Sequence, residues 1–269
     1  MSDTLADAIE RLVGKRPADI RRFPGGDISG ASLVTLADGE TIVAKSGPVV
    51  GIEARMLEAM AQSGAPTPEV IAADDEVMLI EHLPSDAGPS GGAWASLAEA
   101  LGQLHAETGD TYGWPEDYAL RHVTIENAAC DSWPQFWAER RLLCHAPHIP
   151  AALARRLEAL APKLPDMLPG SPKPSLLHGD LWGGNILVSG GGISGLIDPC
   201  AYYGDREVDA ASLTVFDHPP GSFFASLAFE PGWSERQPIY RLWMWLLHVR
   251  LFGDGYRPAV ERELEIFGF

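Results

Sequence analysis

Cysteine is scarce in this chain: Cys130, Cys144 and Cys200 are the three among 269 residues. An odd number without C-x-x-C spacing supports neither a disulfide framework nor a thiolate metal site, and it fits a reducing, cytoplasmic setting. Long hydrophobic runs are missing too. No stretch of roughly 18 apolar residues exists to span a bilayer. The opening MSDTLADAIERLVGKRP mixes acids with bases where a secretory signal would carry an apolar run and a small-residue cleavage site. Basic residues are the third deficit, with 20 Lys plus Arg against 37 Asp plus Glu and a net charge of −17. Such a field repels nucleic-acid backbones and anionic membrane surfaces, so neither is expected as a partner. There is no internal repeat and no low-complexity tract.

What is present suffices for a sizeable core, since 46% of the residues are hydrophobic and the length accommodates two lobes. After an amphipathic opening helix, apolar runs at Ala31 to Leu36 and Thr41 to Lys45 flank Asp38-Gly39, a strong hairpin signal. Ile52, Met56, Leu57 and Met60 then recur at helical spacing and stop before Pro66 and Pro68, which predicts a helix over Gly51 to Ala61. Val70 to Ala73 and Val77 to Ile80 add a second strand pair. The stretch from Leu83 to Gly92 holds Pro84, Pro89 and three glycines and punctuates the chain. Beyond it the pattern turns helical, with helices expected on Trp94 to Leu104, Trp133 to Leu143, Ala151 to Leu160 and Gln237 to Phe252, and a small hairpin between Leu176 and Ile197. The fold class expected is α+β, with residues 1–83 as an N-terminal lobe of antiparallel sheet and one main helix, 84–92 as linker, and 93–269 as a larger, mainly helical lobe.

The segment LLHGDLWGGNILVSGGGISGLIDP, residues 176 to 199, places Asp180, Asn185 and Asp198 around that hairpin. Phosphoryl transfer needs a carboxylate near the acceptor hydroxyl and oxygen ligands for Mg²⁺ against the phosphates of ATP, and these three side chains supply both. An H-x-D-x(4)-N string alone is weak, because His, Asp and Asn are common in turns. The order of elements strengthens it: glycines, a strand ending in Lys45, a helix carrying Glu53, a linker, then the hairpin. A lone strand-end lysine is ordinarily a solvated one. In this order Lys45 is expected to reach the α- and β-phosphates, oriented by Glu53 rather than by Glu58, which lies about 140° away around the helix. Gly25 and Gly26 are candidates for a phosphate-covering loop, although their spacing differs from the usual kinase pattern and a ligand-free turn explains them equally well. The main chain at Glu81, His82 and Leu83 is the candidate adenine contact. The architecture read from this set is a bilobal, protein-kinase-like fold.

HGDLWGGN at 178 to 185 followed by IDPCAYYGDREVD at 197 to 209 resembles the fructosamine (ketosamine) kinases, within the aminoglycoside-phosphotransferase-like branch. The resemblance extends through VAKS at 43 to 46, IEHL at 80 to 83, LGQLHA at 101 to 106, DSWPQFWAERRL at 131 to 142 and ERQPIYRLW at 235 to 243. It implies Asp180 as the base, Asn185 and Asp198 as Mg²⁺ ligands, and Lys45 with Glu53 as the phosphate-positioning pair. It also implies the substrate: a ketosamine, free or protein-bound, phosphorylated on a sugar hydroxyl in deglycation. The alternatives are another hydroxyl acceptor, such as an aminoglycoside, a choline-like alcohol or a sugar, or a catalytically silent nucleotide-binding protein. Two departures stand out. Thr124-Ile125-Glu126-Asn127 keeps the Asn of a Pro-Gln-x-Asn string but loses its Pro and Gln, so the acceptor side is expected to differ, and Gly183 stands where Ser is frequent, a change expected to be tolerated.

Several neighbours have simpler readings. Asp205, Arg206, Glu207 and Asp209 are expected to form a structural ion-pair network, with Asp209 supporting the His178-Gly179-Asp180 turn. Trp133 and Trp137, one helical turn apart, are expected in the core rather than on a sugar. His105 reads as a packed, hydrogen-bonded histidine and His178 as an orienter of the loop. Trp243, Trp245 and His248 could line an acceptor pocket, yet a buried helix accounts for them as well.

Overall fold

The computed structural model describes residues 4–23 and 30–269. The chain resolves into two compact units, residues 1–100 with 184–200, and residues 101–183 with 201–269.

The first unit opens with α1 (Leu5–Val13), whose start is fixed by a capping box: Thr4 Oγ1 accepts the Asp7 amide and Asp7 Oδ2 accepts the Thr4 amide. A five-stranded antiparallel sheet follows, built from β1 (Pro17–Arg22), β2 (Ser32–Leu36), β3 (Thr41–Ser46), β4 (Val70–Ala73) and β5 (Val77–Glu81), in the order β1-β2-β3-β5-β4. Between β3 and β4 runs α2 (Val50–Gln62). Alternation along β5 sends Val77 and Leu79 into a core with Ala8 and Ile9 of α1, and Met78 and Ile80 into a core with Val50, Ala54 and Leu57 of α2. One sheet thus carries a helix on each face. β1 was not anticipated, because PADIRR offers only Ala18 and Ile20 as an alternating apolar pair; it is an edge strand with mostly exposed side chains.

The hairpin β9 (Ile186–Ser189) with β10 (Gly192–Leu196) also belongs to this unit, although the sequence reading had it within 93–269. The reason is a set of hydrogen bonds from the stretch expected as a linker. The Asp86 amide donates to the Val188 carbonyl at 2.9 Å, Asp86 Oδ2 accepts from Gly190 N and Ser189 Oγ, and Ser194 Oγ donates to the Pro84 carbonyl at 2.6 Å. Residues 84–87 are therefore tied to the hairpin.

The helix α3 (Ala93–Ala106) crosses the unit boundary. The second unit then contains β6 (Tyr118–Leu120), β7 (Val123–Ile125), α4 (Trp133–Phe136), α5 (Ala151–Leu160), α6 (Leu164–Met167), β8 (Ser175–Leu177), β11 (Tyr202–Gly204), α7 (Glu207–Leu213), α8 (Gly221–Leu227), α9 (Trp233–Phe252) and α10 (Arg257–Ile266). The expected helix from Trp133 to Leu143 is one α-turn continued by a π-helix, Trp137–Leu142. The wider turn accompanies burial of Arg141, whose guanidinium lies over Phe136, Tyr202 and Trp243 and donates to Asn127 Oδ1 at 2.8 Å. α9 starts at Trp233, four residues before Gln237, and carries Pro238 inside it. Among the described residues no helix is long and apolar enough to cross a membrane.

Candidate active site

In the first unit, β3 delivers Lys45 and α2 delivers Glu53, both 3% exposed. Their side chains form a short ion pair, and Lys45 Nζ also donates to Asp198 Oδ1 at 2.9 Å. Burial by itself would pull the Lys45 ammonium pKa down, but the Glu53 and Asp198 carboxylates outweigh it, and the net shift is upward. Lys45 is thereby held as a cation inside a nearly dry site. Glu58 is exposed, in keeping with its place on the other side of α2.

Asn185 and Asp198 bracket the hairpin at its open end. Asn185 closes a 3-10 turn directly before β9, Asp198 lies two residues beyond β10, and the Ile197 amide donates to the Asn185 carbonyl at 3.0 Å. Asp198 adopts φ +54°, a left-handed conformation that is uncommon for a residue with a side chain and that clusters at functional sites. Its side chain is 34% exposed, whereas Asn185 is buried. Among the described residues no group of three His, Cys, Asp or Glu is arranged for a metal. One carboxylate and one amide oxygen suit Mg²⁺ nonetheless, because that ion takes few protein ligands and completes its shell with water and phosphate oxygens.

At the end of β5, the Glu81 amide donates to the Glu69 carbonyl, so that group is committed to the sheet. His82 and Leu83 lie beyond the strand, His82 exposed and Leu83 packed over Gly195 of the hairpin. Gly25 and Gly26 fall outside the described residues.

In the second unit, β8 pairs with β11 and runs into the His178-Gly179-Asp180 turn. Asp209, fully buried on α7, accepts the His178 amide through Oδ2 and the Gly179 amide through Oδ1, each at 2.9 Å, and His105 Nε2 lies 2.9 Å from Oδ2. Burial would raise the Asp209 pKa, but hydrogen bonding to His105, the nearby imidazoles and the Gly179 amide hold it below the usual value. The carboxylate is therefore ionised and His105 is the donor. Gly179 takes φ +80°, and the Asp180 amide donates to His178 Nδ1 at 3.3 Å, so the turn presents the half-buried Asp180 on a fixed backbone.

The rest of the charged cluster is structural. Asp205 accepts from Tyr240 Oη at 2.7 Å, Tyr240 accepts from Trp133 Nε1 at 3.0 Å, and Arg236 pairs with both oxygens of Glu207. Trp133, Trp137 and Trp243 are core residues, while Trp245 and His248 are half-buried against Phe216. Asn127, the unaltered residue of the 124–127 string, is buried and fixed by Arg141 and by the Glu116 carbonyl.

Sequence reasoning missed Asp217. It lies in the loop after α7, accepts the Gly183 amide through Oδ2 at 2.7 Å, and its Oδ1 lies 2.5 Å from where a Cβ on residue 183 would be. Nothing in VFDHPP marks it, because an Asp before His-Pro-Pro reads as turn chemistry.

The fructosamine kinase family profile matches residues 1–267. The chain is 31% identical over 288 residues to "Probable ketoamine kinase slr1563" of Synechocystis sp., covering 97% of this chain and 95% of that protein. A Thermobifida fusca crystal structure, provisionally assigned as a fructosamine-3-kinase, superposes with a TM-score of 0.90 at 26% identity and 98% coverage of both chains. A thermostable mutant of aminoglycoside phosphotransferase APH(4)-Ia, in ternary complex with AMP-PNP and hygromycin B, shares the fold at a TM-score of 0.67 and 16% identity over 98% of this chain and 96% of its own. With a protein-kinase-like fold and a family match running almost end to end, the chain belongs to the fructosamine kinase family.

Proposed function

We propose that the protein transfers the γ-phosphoryl group of ATP to a sugar hydroxyl of a ketosamine, free or protein-bound, in the manner of a deglycating fructosamine or ribulosamine kinase. The observation that carries this reading is Lys45, buried and charged between Glu53 and Asp198, within a family match covering residues 1–267. In the reading, residues 1–83 hold the nucleotide, 84–92 connect, and 93–269 carry the base and the acceptor side. Mg²⁺ held by Asn185 and Asp198 would neutralise charge on the phosphates.

Lys45 pairs with the α- and β-phosphates and Glu53 keeps its ammonium aimed. Asp180 accepts the acceptor hydroxyl proton as the oxygen bonds to γ-phosphorus and the bond to the β–γ bridging oxygen breaks, releasing ADP. The clamp from Asp209 fixes the backbone of Asp180, so that little reorganisation is needed when the proton moves.

Purified protein with Mg-ATP, offered fructosyl-lysine, ribulosyl-lysine, an aminoglycoside and choline, tests the proposal by ADP release and acceptor mass. A gain of one phosphoryl group on the ketosamines is expected. Turnover confined to the aminoglycoside would replace this reading with the other phosphotransferase.

A further inference from the structure

We propose that Asp217 is a positioning residue, a second clamp on the loop carrying Asp180. The loop from His178 to Gly183 is gripped at both ends by carboxylates that follow one another along a single segment. Asp209 on α7 takes the amides of His178 and Gly179 at the entry, and Asp217, four residues past the helix, takes the amide of Gly183 at the exit. Asp217 is itself tied back to α7, its amide donating to the Leu213 carbonyl at 3.0 Å. Between the grips Leu181 is fully buried, so the loop is anchored at three points while Asp180 and Trp182 project from it.

Residue 183 is a glycine for a packing reason. Its φ is not left-handed, so the backbone would accept a side chain, but a Cβ would meet the Asp217 carboxylate, with Oδ1 at 2.5 Å and Cγ at 3.2 Å. The space a side chain at 183 would take is filled by the carboxylate reaching in from residue 217. Gly183 and Asp217 therefore act as one device.

The inference rests on the proposed phosphotransfer, and the experiment separates the two. Turnover by the unaltered protein tests the activity, whereas ratios between variants test the clamp. Asp217→Ala is expected to lower kcat about tenfold, the scale of one lost hydrogen bond to a charged group, with KM for ATP and acceptor unchanged. Asp217→Asn keeps an oxygen for the Gly183 amide and should stay within about threefold of the parent. Gly183→Ala should match Asp217→Ala, and the double variant should be no worse than either, since both act through one contact. Losses that multiply in the double variant would overturn the clamp, as would an Asn variant as poor as Ala. A rise in KM limited to ammonium-bearing acceptors with kcat intact would also overturn it, making Asp217 a substrate contact instead.

Discussion

The buried ion pair gives the sharpest test of the first unit. Glu53→Gln removes one of the two carboxylates that keep Lys45 charged at 3% exposure. Removing one partner of a buried pair costs about 3–5 kcal/mol, because the remaining charge loses its compensation. Asp198 stays as a partner at 2.9 Å with a partly solvated side chain, which places the expected loss near the lower end, about 3 kcal/mol. For a chain of this size that is a fall in Tm of roughly 10 °C. Because the Lys45 pKa is raised, the contribution of the pair is fully present below the ordinary lysine value and is lost only as pH climbs through the raised one. The gap between parent and variant should accordingly be flat from neutral to mildly alkaline pH. Urea and thermal melts measure it. A double variant, Lys45→Met with Glu53→Leu, supplies the contrast: apolar groups of similar volume should restore stability to within about 1 kcal/mol of the parent while removing the ammonium and with it phosphotransfer. A Glu53→Gln protein that melts within a degree or two of the parent would refute the reasoning, as would a double variant less stable than the single one.

Acid should act on the second unit through two residues. His145 is buried beside Arg250 and Arg141, and burial first, then those charges, pushes its pKa down to about 3. The unfolded chain binds that proton from about pH 6.5 and the native state does not, so stability falls between pH 6.5 and 3 by at most about 5 kcal/mol; His145→Leu should flatten that slope in pH-dependent melts. The depressed pKa of Asp209 contributes stability that is present above the ordinary aspartate value and lost below it, and Asp209→Ala should cost about 3 kcal/mol in urea melts and lower kcat through the loosened Asp180 turn. Gly113→Ala combines a φ of +114° with a Cβ driven into the Asn127 carbonyl, and should cost roughly 2–4 kcal/mol of thermal stability.

The elements most legible in the sequence were short apolar runs bounded by polar residues, and helices with a regular apolar spacing. Val70 to Ala73 and Val77 to Ile80, on either side of Asp74-Asp75-Glu76, are strands, and Ala151 to Leu160 is a helix. Lys45 pairs with Glu53 and also with Asp198, a contact the sequence order did not specify, and Asp209 supports the His178-Gly179 backbone. Features that depend on contacts distant in sequence were not legible. β1 offers only Ala18 and Ile20 as apolar positions, the π-turn accompanies a buried arginine that nothing nearby in sequence announces, and the association of Pro84 and Asp86 with the hairpin rests on hydrogen bonds spanning about 100 positions. Asp217 is the clearest instance, since its meaning lies in the empty space above a glycine 34 residues away.

The account turns on Asp180 as the group that receives the acceptor proton. Single-turnover transfer from γ-labelled ATP to fructosyl-lysine by the Asp180→Asn protein, measured beside nucleotide binding to the same preparation, tests it most directly. Transfer slowed by several orders of magnitude with nucleotide affinity preserved is expected, as for a group acting in the transition state. Transfer at the parent rate would contradict it and remove Asp180 from the chemistry.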